Sequence, residues 1–282
     1  MTTQPHDPQA DSIEVDWSWT DSDEDWIPPE IDTSRPSAAR MYDYAIGGKD
    51  NYEVDRRAVH EVGQILPDFQ ACAHANRGFL VRAVEALATL GVDQFIDLGS
   101  GIPTSPNVHE VAQKAQPSAK VVYVDNDPIV MTYNRALREP QPGVLSLDHD
   151  MRRPHAILDD PRLRAHLDLD RPVALLLVAV LHFVRREMAV KVVEQYARLL
   201  PAGSYIAISV VCSDGMQPAL VERLEQVYEA SATPFVARTG AQVEQLFDGK
   251  QLIEPGLTDV TRWRSDQGPL PIRILGGVAR IG

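Results

Sequence analysis

Phe95-Ile96-Asp97-Leu98-Gly99-Ser100-Gly101-Ile102-Pro103-Thr104 is the stretch whose reading decides the fold. An apolar run that ends in an acid and meets Gly-x-Gly reads as a β-strand turning sharply toward a ligand. Glycine permits the turn and lets backbone approach without a Cβ in the way. A dinucleotide loop would carry a third glycine and offer backbone N–H groups to a pyrophosphate. This one has Ile-Pro-Thr instead. Pro103 has no N–H and pushes Ile102 toward an extended conformation. An adenosine ligand without phosphate loses nothing by that exchange.

Outward from the loop, short strands and helices alternate. The pattern predicts strands at 94–98, 120–125, 144–148, 173–180 and 204–211, with helices at 105–116, 127–138, 185–200 and 215–231. Ser105-Pro106 and Asp127-Pro128 each set a capping side chain before a proline at the first helical position. The unbroken apolar run Val173–Val180 fits a central strand covered on both faces. Such alternation implies right-handed crossovers and a parallel, doubly wound sheet. A helix near 239–248 and strands at 251–263 and 271–281 close the chain. Upstream, three helices are expected. Pro36–Ile46 stops at Gly47-Gly48, Asp50–Glu53 has capping-box spacing for the second, and Asp68 precedes a third with Ala75, Phe79, Ala83, Leu87 and Leu90 on one face.

Composition narrows the function classes. The chain of 282 residues has a formal charge of -13, but residues 1–33 hold ten acids and no Lys or Arg. The remainder carries 30 acids against 27 bases, which argues against a large nucleic-acid-binding face. No apolar run is long enough to cross a bilayer, and Cys72 and Cys212 form no disulfide framework or metal spacing, so a cytoplasmic setting is expected. Residues 1–33 read as an acidic, disordered tail. Their tryptophans Trp17, Trp19 and Trp26 admit a second reading, a segment that docks on a protein partner.

The other strand ends add chemistry. Val121-Val122-Tyr123-Val124-Asp125 places an acid where a carboxylate accepts hydrogen bonds from both ribose hydroxyls of an adenosine. The third strand end, around Asp148, Asp150 and Met151, offers a carboxylate for an adenine amino group and an apolar side chain for its ring. S-adenosylmethionine is an adenosine ligand of the right kind: Gly99 and Gly101 admit its methionine part, and Asp97 suits its positive sulfonium.

The sequence resembles a bacterial family of class I S-adenosylmethionine-dependent methyltransferases long catalogued as a domain of unknown function. The resemblance is carried by Ala39–Tyr52 with its Gly47-Gly48-Lys49-Asp50-Asn51, by Ala75–Leu80, Gln94–Thr104, Val122–Pro128, Ala179–Phe183 and Pro201–Tyr205, and it spans about 34–282. It implies a Rossmann-like fold with a seven-stranded, mostly parallel sheet whose last strand is antiparallel, helices on both faces, and a helical cap at 34–93 before a core at 94–282. It implies that Asp97, Gly99, Ser100 and Gly101 line the methionine and sulfonium part, and Asp125 and Asn126 the ribose and adenine edge. Asp150 and Met151 would hold the adenine, and the backbone at Ala179 and Val180 would face the donor's amino group. His149 departs from the small residue more usual there.

In the cap, Tyr42, Tyr44, Lys49, Asn51 and Arg77 are candidates to close over the donor, with Lys49 or Arg77 opposing its carboxylate; the competing reading is helix packing and a solvated turn. His182, just past the fourth strand, is the candidate general base for an acceptor that must lose a proton, or else a ligand-lining or core histidine. No Asn-Pro-Pro-Tyr motif follows that strand, which weakens a nucleic-acid-base acceptor. The expected activity is methyl transfer to a small molecule. The rivals are a S-adenosylmethionine-binding regulatory or interaction protein without turnover, and an NAD-dependent oxidoreductase, which Pro103 and Thr104 disfavour.

Overall fold

A computed structural model describes residues 32–229, 231 and 233–282; the acidic segment with its three tryptophans lies outside them. Apolar periodicity forms α1 (Ala38–Ala45), α2 (Glu53–Ile65) and α3 (Phe69–Thr89), and the glycine stretch follows β1 (Gln94–Leu98). Next come α4 (Val108–Ala115), β2 (Lys120–Asp125), α5 (Pro128–Tyr133) running into a π-turn at Asn134–Arg138, and β3 (Val144–Asp148). Two short helices, α6 (Pro154–Leu158) and α7 (Pro161–His166), precede β4 (Ala174–Val178). A 3-10 turn at Leu181–Phe183 leads to α8 (Arg186–Leu199), β5 (Tyr205–Cys212), α9 (Pro218–Glu229) and α10 (Gly240–Glu244). The chain ends with β6 (Gln251–Leu252), β7 (Thr258–Asp259) and β8 (Arg273–Arg280).

The sheet order is β3-β2-β1-β4-β5-β8-β6, with β7 also on β8. Strands β1 to β5 pair in parallel, and β8 runs antiparallel to β5 over eight residues. The order reverses between β1 and β4, so a crevice opens there at the carboxyl ends of the strands.

Strand side chains alternate between two apolar layers. Phe95, Val121, Tyr123 and Leu176 face the layer built from α2, α3, α4 and α9; Ile96, Leu98, Val122, Val124 and Leu177 face the one built from α6, α7, α8 and α10. Both faces being covered explains the unalternating Val173–Val180 run. Helix α3 belongs to this sandwich, packing on β4, β5 and β8. Its Phe79 meets Trp263 edge-on at 5.3 Å between centroids.

Local details differ from expectation. Among the described residues the sheet has eight strands, not seven, because the run 251–263 is interrupted. β6 pairs Leu252 with Ala279 and β7 pairs Thr258 with Gly276, so five residues bulge where β8 has two. Pro255-Gly256 makes the break, with the Gly256 N–H turned back to the Ile253 carbonyl at 2.8 Å and Gly256 at φ +86. Helix α4 is capped by Asn107, whose N–H donates to Glu110 at 2.8 Å, rather than by Ser105. The box of α2 joins Tyr52 to Asp55 (N–H to carboxylate, 2.8 Å), two residues beyond the expected Asp50–Glu53 pair. Leu90 caps α3 and is exposed. Helices α6 and α7 were not expected, although Asp160 accepts the Arg162 N–H at 2.8 Å in the same Asp-Pro arrangement as Asp127 and Ile129. Among the described residues, no helix is long and apolar enough to cross a membrane.

Candidate functional site

At the carboxyl edge of β1 the chain turns through Gly99 (φ +68) and Gly101 (φ +61). The N–H groups of Gly99 and Ser100 both reach the Val124 carbonyl, at 2.8 and 3.2 Å, which folds the loop back onto β2. The two glycines are needed for different reasons. A Cβ on Gly99 would stand 2.3 Å from Val180 Cγ2, so the loop and the exit of β4 close on each other. A Cβ on Gly101 would meet nothing within 4 Å and would fill open space in front of the loop.

Asp125, half-buried at the end of β2, accepts the Gly101 N–H at 2.9 Å and the Asp127 N–H at 3.0 Å. Asp97 is buried at the end of β1. Desolvation pushes both carboxyls up to about 6: Asp97 against the opposing pull of Arg138 and Arg77, Asp125 against its backbone hydrogen bonds. Two carboxylates thus converge beside a glycine loop that lacks phosphate-binding character.

The loop is braced from behind by residues that the sequence did not single out. Arg138, fully buried with its guanidinium 4.0 Å over the Tyr123 ring, donates to the Gly101 carbonyl (3.2 Å), Asn134 Oδ1 (2.7 Å) and Asn107 Oδ1 (3.0 Å). Asn134 in turn donates to Ser100 Oγ at 3.2 Å. An arginine and an asparagine on a helix ordinarily read as solvated, so only the tertiary fold reveals them.

A second network fixes the exit of β4. Ala179 adopts φ +55, strained for a residue with a Cβ. Its N–H donates to Ser209 Oγ (3.0 Å), and the Ser209 hydroxyl donates to Asn76 Oδ1 (2.6 Å). Asn76 Nδ2 donates to the Tyr42 hydroxyl (3.1 Å), which ends on the Ala73 carbonyl (3.0 Å). Helices α1 and α3 are thereby hydrogen-bonded through β5 to the strand exit.

The Gly47-Gly48-Lys49-Asp50-Asn51 turn is also fixed from inside. Buried Asp43 accepts the Asp50 N–H and Asn51 Nδ2, both at 2.9 Å, and burial holds its carboxyl above the ordinary range. Gly47 has φ +85, and a Cβ on Gly48 would strike Asp43 Oδ1 at 2.0 Å. The turn is tied to α5, where Tyr133 donates to Asp50 (2.9 Å), and the start of α1 to the residues after β2, where Ser37 donates to Asp127 (2.7 Å).

Of the expected site residues, Asp97, Gly99, Ser100, Gly101, Asp125, Ala179 and Val180 converge at this edge. Asn126 follows them on the surface. Arg77 holds the loop itself, donating to the Pro106 carbonyl at 2.6 Å and to the Thr104 carbonyl. Lys49 is exposed at the tip of its turn. Tyr44 turns to α2, its hydroxyl 3.1 Å from His60 Nε2. Asp150 is engaged by Arg152 through contacts of 2.6 to 2.9 Å, which hold its carboxyl below the ordinary range. Met151 packs in the α8-side core, where its carbonyl accepts the Tyr196 hydroxyl (3.1 Å). His149 is drawn to Asp160, Nε2 to Oδ2 at 2.8 Å.

His182 sits in the 3-10 turn, 7% exposed, its ring 4.4 Å from Phe183 and 5.3 Å from Phe235 between centroids. Its Nδ1 is buried and has no hydrogen-bond partner among the described residues. Burial, and secondarily Arg238, push its pKa down to about 3.

Comparison with known proteins gives this geometry a family. The chain is similar to a structurally characterised DUF574-family protein of Streptomyces avermitilis, 42% identical over 90% of this chain and 100% of that one, with a TM-score of 0.85. It is similar to a Thermobifida fusca protein described as a "putative methyltransferase", 38% identical over 91% and 98% of the two chains, TM-score 0.83. No curated protein matches. The sequence profile described as "S-adenosyl methyltransferase" matches residues 24–282. The chain therefore belongs to the S-adenosyl methyltransferase family, with the class I fold and S-adenosylmethionine as its methyl donor.

Proposed function

We propose that the protein transfers the methyl group of S-adenosylmethionine to a small-molecule acceptor at the carboxyl edge of β1, β2 and β4. The observation that carries this reading is the pairing of Asp97 and Asp125 around a Gly101 whose missing Cβ leaves open space. A cationic sulfonium fits beside Asp97; a pyrophosphate would meet two acids and a proline there. Asp125 would accept the ribose hydroxyls, Asn126 the adenine edge, and the Ala179–Val180 backbone the donor's amino group. Asp150 can serve the adenine only with Arg152 beside it. Arg77 and Arg138 would hold the loop in shape, and α1–α3 would close the site from the N-terminal side.

The donor, once bound, supplies a carbon already activated for in-line displacement. The chain's task is then to orient the acceptor and exclude water. With its pKa near 3, His182 is a neutral imidazole at pH 7 and a weak base, so we assign it to holding the acceptor by a hydrogen bond. Calorimetric titration with S-adenosylhomocysteine tests the donor site. Binding by the wild-type chain, weakened in a folded Asp97→Ala variant, is expected; equal affinity in that variant would remove Asp97 from the site.

A further inference from the structure

Beyond the 3-10 turn, two aromatic rings meet His182, whose Nδ1 has no partner among the described residues, and a third packs against those two. Phe183 comes from the turn, Tyr228 from α9 and Phe235 from the loop that follows; Tyr228 and Phe235 are stacked at 5.1 Å, and Phe183 lies 5.8 Å from Tyr228. The β4 strand is fully buried through Leu177, yet Val178, Ala179, Val180 and Phe183 regain exposure. The box thus adjoins the strand exit, whose Val180 stands against Gly99 of the glycine loop.

Behind His182 stands Arg238, 1% exposed. Its guanidinium donates to the carbonyls of Leu181 (2.8 Å), Val184 (2.6 Å) and Val236 (3.4 Å), and to no carboxylate among the described residues. The charged groups that act on it are Arg186 and, more weakly, Glu187, both on α8. A buried cation without a counter-ion ordinarily costs stability unless a negative charge arrives. Among the described residues, the charged group that bears on His182 is Arg238, and no acid does.

We propose that this box receives the acceptor, and that the acceptor is a planar aromatic bearing an ionisable hydroxyl, bound as its oxyanion. Stacking rings select a flat aromatic ligand. The neutral imidazole has an Nδ1 that no described residue engages, and a donated N–H suits an oxyanion. The field of Arg238 favours that anion over a neutral or cationic amine. The proposal rests on the methyl-transfer reading for its chemistry. The hydroxyl proton leaves to bulk water on binding. The oxyanion then attacks the methyl carbon; a C–O bond forms, the C–S bond breaks, and its electron pair returns to sulfur, leaving an ether and a neutral thioether. Arg238 acts through the field and is a positioning residue.

The test uses 7-hydroxy-4-methylcoumarin, whose fluorescence excitation distinguishes hydroxyl from oxyanion, and its isostere 7-amino-4-methylcoumarin. Titration of the full chain should show the hydroxycoumarin bound as the anion, with its apparent pKa lowered by about one unit, and bound about tenfold more tightly than the amine. His182→Phe, which refills the box without nitrogens, should lose that tenfold preference, and His182→Gln should recover part of it. Arg238→Met should return the bound probe's pKa toward its free value; if that variant does not fold, the His182 pair decides. Equal binding of the two coumarins, an unshifted or raised probe pKa, or an unchanged preference in folded His182→Phe would overturn the proposal. S-adenosylhomocysteine binding is measured in parallel. Its absence beside an intact probe shift overturns the donor reading alone; its presence beside a missing shift overturns the acceptor inference alone.

Discussion

At the scale of single residues, the donor edge is built against its own stability. Asp97 has a folded pKa near 6, above the unfolded carboxylate value of about 3.9. A raised acid binds more protons folded than unfolded between those values, so its contribution to stability falls as pH rises through that window. Asp97→Asn removes the penalty and should stabilise the ligand-free chain at pH 7 by up to about 3 kcal/mol. The gain over wild type should vanish below pH 4, as thermal melts across pH would show, while donor affinity falls at least tenfold. In the wild type, S-adenosylmethionine affinity should rise with pH through about 6 as Asp97 and Asp125 ionise; a flat calorimetric profile from pH 5 to 8 would contradict that.

The two glycines separate in the same spirit. Gly101→Ala meets only the cost of a positive φ, about 1–2 kcal/mol, but its Cβ occupies the space assigned to the donor. A folded variant with little donor binding is expected. Gly99→Ala adds a 2.3 Å collision with Val180 and should lose markedly more stability in denaturant melts.

Between elements, the structure turns on hydrogen bonds that tie the N-terminal helices to strand ends. Asn76 is the hinge of one such chain, so Asn76→Ala leaves Ser209 and Tyr42 without their partner. It should cost about 2–3 kcal/mol and release the strained Ala179, seen as lower melting temperature together with weaker donor binding. Unchanged donor affinity in the folded variant would confine the network to stability. How far the sequence shows these elements follows from what each signal measures. Short apolar runs mark β1 to β5 and period-3.6 apolar patterns mark α2 and α3, because those elements bury whole strands or whole helix faces. The edge strand β6–β7 was misread as one piece: apolar content there ran across Pro255-Gly256, which breaks the ladder. Helices α6 and α7 are too short for apolar periodicity to show, and only the Asp160-Pro161 cap of α7 marks either in the sequence. Asn76, Ser209, Asn134 and Arg138 were invisible because each is defined by a partner far away in sequence.

For the molecule as a whole, the order reversal between β1 and β4 gathers the glycine loop, Asp125 and the Ala179–His182 segment at one edge of the sheet. The glycine stretch and the acids after β1 and β2, the site proposed for the donor, were legible as a cluster of strand-end groups, since their chemistry is local to strand ends. The cap was legible as helices but not as contacts: Tyr44 pairs with His60, and Arg77 grips the loop rather than standing free. The proposed acceptor side depends on α9 and the segment after it, whose aromatic residues and Arg238 mean nothing until they meet His182.

The most direct measurement is calorimetric titration of the chain and of Asp125→Ala with S-adenosylhomocysteine and with NAD. The wild type should bind S-adenosylhomocysteine and not NAD. Asp125→Ala should bind it about 10- to 100-fold more weakly, as expected when roughly 1.5–3 kcal/mol of charged hydrogen bonding is lost. Unchanged affinity in a folded Asp125→Ala, or NAD binding by a wild type that ignores S-adenosylhomocysteine, would contradict the donor site described for this edge.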